Sequence, residues 1–305
     1  MMKKLILMSV FLCGSLFASG GSSTPPLQGT YPIVLSHGIL GFDDTNGLLN
    51  GLVKYWGGMD DYLRSQGASV LTPGTTAMQS VPVRAQGQKD QILTWMAANN
   101  YSKVHVFGHS QGGLVSRYMI TNLSMSGKVS TLTTINSVHR GTPPADIGLA
   151  VIPDWLEPFV ATVMNWFASL LYGESNQDLL AMANSLTTAT LTSFNVTTPN
   201  AASVKYFSYG SKITIEDLIQ HPIMGITYPI TWAGGLASSV HSADNDGIVP
   251  LSSQQWGTWK GGPSYGLLTT GVDHLQATNF EWTGQNYFDV QGYYLNMAKN
   301  AKSNQ

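Results

Sequence analysis

Gly108-His109-Ser110-Gln111-Gly112 fits the pattern G-x-S-x-G, a serine hydroxyl between two glycines. A serine attacks an acyl carbonyl only if a base takes its proton and its oxygen stands clear of the backbone. The apolar run Val104–Phe107 before the motif and the helical stretch GLVSRYMI after it meet the second condition. A sharp strand-to-helix turn would leave the Ser110 hydroxyl exposed at the sheet edge. The bland use of the same residues is a glycine-rich turn.

The base should be a histidine whose tautomer is held by a carboxylate. There are seven histidines. His37, His105 and His109 lie before or within the motif, and His105, inside an apolar strand, reads as a core residue. His139, in SVHRGTP, reads as a brace for a loop. His274, in Gly271-Val272-Asp273-His274-Leu275, falls late in a glycine-flanked loop and completes the chain order serine, acid, histidine. His221 and His241 are its rivals. For the acid, Asp244-Asn245-Asp246-Gly247-Ile248-Val249-Pro250 offers Asp246, immediately before a glycine, with Asp244 as the second candidate; such a run also serves as a plain turn.

Acyl transfer further requires two donors aimed at the oxygen that becomes negative, and backbone N–H groups suit because they are fixed before reaction. His37-Gly38-Ile39-Leu40-Gly41 follows the first apolar run, and its glycines allow close approach. The donors are assigned to Ile39 and to Gln111, the residue after the nucleophile.

These residues need a scaffold that brings loop ends together. Tyr31 to Ser36, Ser69 to Leu71, Val104 to Phe107, Leu132 to Asn136 and Val204 to Tyr209 read as short buried strands, nearly continuous in apolar residues. Between them Met59 to Gln66, Val83 to Ala98 and Gly112 to Asn122 look helical. In the second helix Ala85, Ile92, Met96 and Ala97 form an apolar stripe, and Gln86, Gln88, Lys89 and Asp90 are expected to face water. Strands alternating with helices predict an α/β fold built on a mostly parallel sheet with right-handed crossovers. No internal repeat is visible.

Two segments stand apart. The N-terminus has Lys3 and Lys4, an apolar run from Leu5 to Leu12 and small residues through Ala18-Ser19-Gly20, the pattern of a secretory signal peptide over residues 1–20. Its apolar run is shorter than the roughly 18 to 20 residues that span a bilayer. A lipid anchor on Cys13 is the rival, but Phe11 and Leu12 stand where small residues are wanted. Cleavage would remove the only cysteine, exclude disulfides from a secreted protein, and take the net charge from -2 to -4 by loss of the two lysines. The second segment, 154–172 (DWLEPFVATVMNWFASLLY), has helical spacing at Leu156, Phe159, Val160, Val163, Phe167, Leu170 and Leu171. It reads either as a lid, within a cap over about 150–190, or as a buried core helix. The remainder, 21–305, is expected to form one domain.

With 43% hydrophobic residues, 10% charged and a net charge of -2, the chain has ample core and is not disordered. Seventeen acidic against 15 basic residues, with no basic run, exclude a nucleic-acid partner.

HGILG, GHSQGG, NDGIVP and VDHL in this order, with INSVHRGTP between, make the chain resemble the secreted bacterial true lipases of the Pseudomonas and Proteus type, in the α/β-hydrolase superfamily. The resemblance runs from about Tyr31 to the C-terminus. It implies a triad of Ser110, Asp246 and His274, an oxyanion hole of Ile39 and Gln111, and a carboxylic ester substrate met at a lipid–water interface. Many such relatives hold a structural calcium through an aspartate two residues after the catalytic histidine; here that residue is Gln276, and no acid lies between Asp217 and Asp244. No metal and no cofactor are therefore expected. The rival functions are a carboxylesterase on short esters and a non-catalytic lipid-binding protein.

Overall fold

The computed structural model describes residues 24–39, 41–44, 53–147, 178–263, 271–280 and 288–305. The expected signal peptide and the 154–172 segment lie outside these residues.

Six parallel strands form one sheet: β1 (Ile33–Ser36), β2 (Val70–Leu71), β3 (Val104–His109), β4 (Val129–Ile135), β5 (Lys205–Tyr209) and β6 (Thr258–Trp259), in the order β2-β1-β3-β4-β5-β6. Parallel neighbours need crossovers, and α1 (Met59–Ser65), α2 (Val81–Asn99) and α3 (Gln111–Thr121) supply the first three. All six residues of β3 are buried, as is expected for the centre of a sheet covered on both faces.

Strand side chains alternate between faces, and that alternation sorts the core into two layers. Val34, Val106 and Leu132 point to the layer shared with Ala85 and Ile92 of α2 and with Leu114 of α3. Ile33, Leu35, Phe107 and Ile135 point the other way, to Trp56, to Leu63 of α1 and to Tyr294 and Met297 near the C-terminus. These last belong to the final helix, Val290–Lys302, which packs on α1.

The second helix departs from its expected facing at two positions: Ala97, read as part of the apolar stripe, is exposed in the last turn, and Gln88 is buried. Gln88 was expected in water but is 1% exposed; its amide accepts from Ser36 Oγ at 2.5 Å and donates to Ser116 Oγ at 3.1 Å. Arg84, four residues earlier, is equally buried. One helical turn aligns both with Ile92 on the buried stripe, so hydrogen bonding rather than apolarity keeps them there. The edge strand β6 has two residues, too few for an alternation to register in sequence.

The chain leaves β1 toward β2 on one side and leaves β3 toward β4 on the other. Where successive crossovers part, the loops after adjacent strands open a crevice at their carboxyl ends. The HGILG loop follows β1 and the GHSQG motif ends β3, so the two patches singled out by chemistry flank that crevice.

Candidate active site

Ser110 has φ 55° and ψ -131°, a left-handed backbone that costs a non-glycine residue on the order of 1–3 kcal/mol. The turn is held by the Ser110 N–H, which donates to Ile135 O at 3.1 Å, and by contacts that only glycines permit. A Cβ at Gly112 would collide with the carbonyl oxygen of Ser36, and one at Gly108 would stand 2.7 Å from the Gly113 nitrogen. The strained conformation is thus imposed by close packing of α3 against the ends of β1 and β3.

The loop after β1 lies directly over the serine. A Cβ on Gly38 would be 2.7 Å from Ser110 Cβ and 3.2 Å from its Oγ. Gly38 N–H donates to Tyr55 Oη at 2.9 Å, while the neighbouring Ile39 N–H has no acceptor among the described residues. Gln111 opens α3, so its N–H has no acceptor within its own helix. Among the described residues neither the Ile39 nor the Gln111 N–H has a hydrogen-bond acceptor, and the two follow Gly38 and Ser110 directly in the chain.

Arg84 lies beneath both. One guanidinium nitrogen donates to His37 O and Gly38 O, each at 2.9 Å, and the other donates to the Gln111 side-chain oxygen. Burial lowers the Arg84 pKa to about 10, still well above neutrality, so a full positive charge sits below the amides. Burial, with the field of Arg84, pushes His37 down to about 3. Neutral His37 donates from Nδ1 to Gly38 O at 2.8 Å and accepts from the Thr75 N–H at Nε2 at 3.1 Å.

The candidate acid and base meet. His274 Nδ1 donates to Asp246 Oδ2 at 2.8 Å, and His274 N–H donates to Asp246 O at 2.9 Å. Asp246 is fully buried and accepts further from Val249 N–H at 2.8 Å, Ile248 N–H at 3.2 Å and Asn136 Nδ2 at 2.7 Å. Gly247 follows at φ 103°, where a side chain would be strained and would strike Met224, so the turn that aims Asp246 depends on that glycine. Among the described contacts no hydrogen bond joins Ser110 Oγ to the His274 ring, as is common before a substrate tightens such a site. Position along the fold nevertheless puts both at the carboxyl end of β3: the His109 ring, next to Ser110, packs against that of His274 with centroids 4.6 Å apart and planes tilted by 44°.

The rivals are engaged elsewhere. Asp244 is exposed and pairs with Lys212 at 2.8 Å. His221 pairs with Asp273 at 2.9 Å, and His241 Nε2 lies 2.8 Å from the Thr188 hydroxyl. His105 is buried against Thr131, and His139 is buried between the Thr134 hydroxyl and the Trp256 ring. Arg84, Tyr55 and Asn136 are parts of the site that sequence reasoning passed over. For Arg84 a signal existed, because a basic residue sat in phase with the apolar stripe of α2.

No group of three or more His, Cys, Asp or Glu side chains with metal-binding geometry occurs among the described residues, and no helix among them is long and apolar enough to cross a membrane.

A parallel sheet with a strained serine at the end of its central strand, facing a glycine loop and a buried Asp–His pair, defines the α/β-hydrolase class. The chain belongs to the palmitoyl protein thioesterase family, whose sequence profile matches residues 32–191, just over half of it. It is similar to Triacylglycerol lipase 2 of Saccharomyces cerevisiae, 26% identical over 291 residues that cover 82% of this chain and 80% of that one. A triacylglycerol lipase of Vibrio cholerae is 28% identical, covering 75% of each chain. One of Pseudarthrobacter phenanthrenivorans is 35% identical over 181 residues, so that the chain matches about half of that relative's length, 54%. Among solved structures, lipase 1 of Pelosinus fermentans shares the fold with TM-score 0.63, 20% identity and coverage of 90% and 98%. The Staphylococcus hyicus lipase shares it with TM-score 0.60, 18% identity and coverage of 92% and 99%. The protein is a serine ester hydrolase.

Proposed function

We propose that the protein is an exported lipase that hydrolyses the carboxylic esters of triacylglycerols through a Ser110–His274–Asp246 triad. His274 takes the Ser110 proton as Oγ attacks the ester carbonyl. The N–H groups of Ile39 and Gln111 receive the oxygen as it becomes negative, and the buried Arg84 charge below them favours that state. His274 returns the proton to the leaving alcohol, and water then cleaves the acyl-enzyme by the same path reversed. No cofactor enters these steps. The single observation that carries the reading is the His274–Asp246 pair, 2.8 Å apart, at the sheet end where Ser110 lies under Gly38. The triacylglycerol substrate is supported by the names of the sequence relatives.

The test is hydrolysis of emulsified triacylglycerols and p-nitrophenyl esters of increasing acyl length, with a palmitoyl thioester alongside, by the wild type and by Ser110→Ala. Long-chain glycerides hydrolysed by the wild type alone support the reading. Preference for short soluble esters makes the protein a carboxylesterase, and preference for the thioester moves it toward the activity that names its family. N-terminal sequencing of protein recovered from culture medium tests export.

A further inference from the structure

Tyr55 and His109 have no part in the steps above, yet both are buried within the site. The Tyr55 hydroxyl has one proton to give, and it already accepts the Gly38 N–H at 2.9 Å. Its other polar neighbour is His109 Nδ1, at 2.6 Å. The phenol proton must therefore go to that nitrogen, which accepts. The His109 proton is then left on Nε2, where the carbonyl oxygen of His274 waits at 2.9 Å. The opposite tautomer would leave the phenol proton without an acceptor and turn the Nε2 lone pair onto a carbonyl oxygen.

The directions are thus fixed along the whole chain: Gly38 N–H to Tyr55 Oη, Tyr55 O–H to His109 Nδ1, His109 Nε2–H to His274 O. Burial keeps the phenol protonated by raising its pKa, and burial together with His274 holds His109 neutral by pushing it well below the ordinary histidine value.

We propose that Tyr55 and His109 are positioning residues that lock the oxyanion loop, the nucleophile turn and the base loop into one catalytic register. His109 is the residue before Ser110, Gly38 the residue before Ile39, and His274 is held by its N–H on Asp246 and by its C=O on His109. The same chain explains why the loop offers Ile39 rather than Gly38 to an oxyanion, since Tyr55 occupies the Gly38 N–H. The proposal rests on the triad reading above, and it acts through those residues without touching substrate.

The test compares Tyr55→Phe, His109→Gln, His109→Phe and the Tyr55→Phe/His109→Phe double variant on one soluble ester. A misplacement of such loops costs on the order of 100-fold. Tyr55→Phe and His109→Phe should each lower kcat by about 10- to 100-fold with KM nearly constant, and the double variant should be scarcely worse than His109→Phe, because one chain is broken once. His109→Gln, which keeps a donor toward His274 O, should recover part of the loss. Unchanged kcat in Tyr55→Phe, or losses that multiply in the double variant, would overturn the proposal. Should a variant not fold, nitrogen NMR of the imidazoles in the wild type decides: a neutral Nε2–H His109 at pH 7 is expected, and an Nδ1–H or cationic ring overturns it. Rapid labelling of Ser110 by a fluorophosphonate, lost in Ser110→Ala, reads the triad separately, so failure of the two ideas is distinguishable.

Discussion

Arg84 donates to the side-chain oxygen of Gln111 while its other nitrogen holds the carbonyls of His37 and Gly38, so one buried cation ties together the two chain segments whose amides border Ser110. Among the described residues its hydrogen-bond acceptors are all neutral, and so the guanidinium charge is not cancelled by a carboxylate.

Replacing Arg84 by Met keeps much of the volume and removes every donor. The buried His37 carbonyl and the Gln111 side-chain oxygen lose their partner at about 1–3 kcal/mol each, so chemical denaturation should show a loss of at least about 2 kcal/mol. Turnover should fall further than that loss implies, by about 10- to 1,000-fold, since both amides lose their fixed placement and the charge beneath them disappears. Arg84→Lys should recover little, as a single ammonium cannot span His37 O, Gly38 O and Gln111 Oε1. Full kcat in Arg84→Met would show that the loops hold themselves.

The triad assignment predicts non-additive losses. Ser110→Ala and His274→Ala should each lower kcat on the order of 10⁴- to 10⁶-fold, with the double variant barely lower. Asp246→Asn should approach the same depth, because the amide presents the wrong hydrogen-bonding partner to His274 Nδ1. Asp244→Asn removes only an exposed pair with Lys212 and should leave kcat within about twofold. Kinetics on a single monomeric ester checks all four.

Much of this arrangement was legible in sequence because it is local. The strand VHVF, the glycines around Ser110 and the helix after it are consecutive, so nearest-neighbour sterics announce the turn. Glycine context, chain order and the family resemblance favour Asp246 and His274 over Asp244 and His221; what sequence does not carry is the pairing of segments 28 residues apart, seen in the 2.8 Å contact. Tyr55 and Asn136 stayed hidden for the same reason: their partners, Gly38 and Asp246, are distant in the chain and carry no periodicity. Gln88 misled and Arg84 went unnoticed because polar residues on a helix ordinarily face water, and only the hydrogen bonds to Ser36 and to the HGILG loop make their burial affordable.

Stability should fall as the medium is acidified below about pH 6.5. Burial lowers His37 to about 3 and His105 to about 4, and pushes His109 and His139 well below their ordinary value. Below pH 6.5 the unfolded chain takes up protons at these positions and the folded chain does not, so folding weakens toward acid, by up to about 1.4 kcal/mol per pH unit for each histidine. Asp44, raised to about 7 by burial, acts oppositely, because between pH 3.8 and 7 the folded chain holds the proton more tightly. Four groups against one leave the net slope downward toward acid. Urea midpoints at pH 7.5, 6.5, 5.5 and 4.5 should decline in that order; a flat series would mean that these rings titrate in the folded state.

The loop that carries His274 should not depend on calcium, because the oxygens that would ligate an ion there already serve the protein. Asp273 Oδ1 accepts from the N–H groups of Leu275 at 2.9 Å and Gln276 at 2.8 Å, and Oδ2 accepts from His221 Nδ1 at 2.9 Å. Gln276 Oε1 accepts in turn from the Asp273 N–H at 3.1 Å. His221 begins the segment that leads into the helix Met224–Ala237, so its bond to Asp273 ties that segment to the base loop as a bridging ion would. Treatment with EDTA should therefore move Tm by no more than about 1 °C, since no linked ion is withdrawn. His221→Phe, which keeps the ring volume and deletes the bond, should lower stability by about 1.5–3 kcal/mol, the range for a hydrogen bond to a charged group. Differential scanning calorimetry with EDTA, with EDTA followed by excess calcium, and on the variant separates the cases. A large drop in EDTA that calcium reverses would mean that an ion, rather than His221, secures the loop.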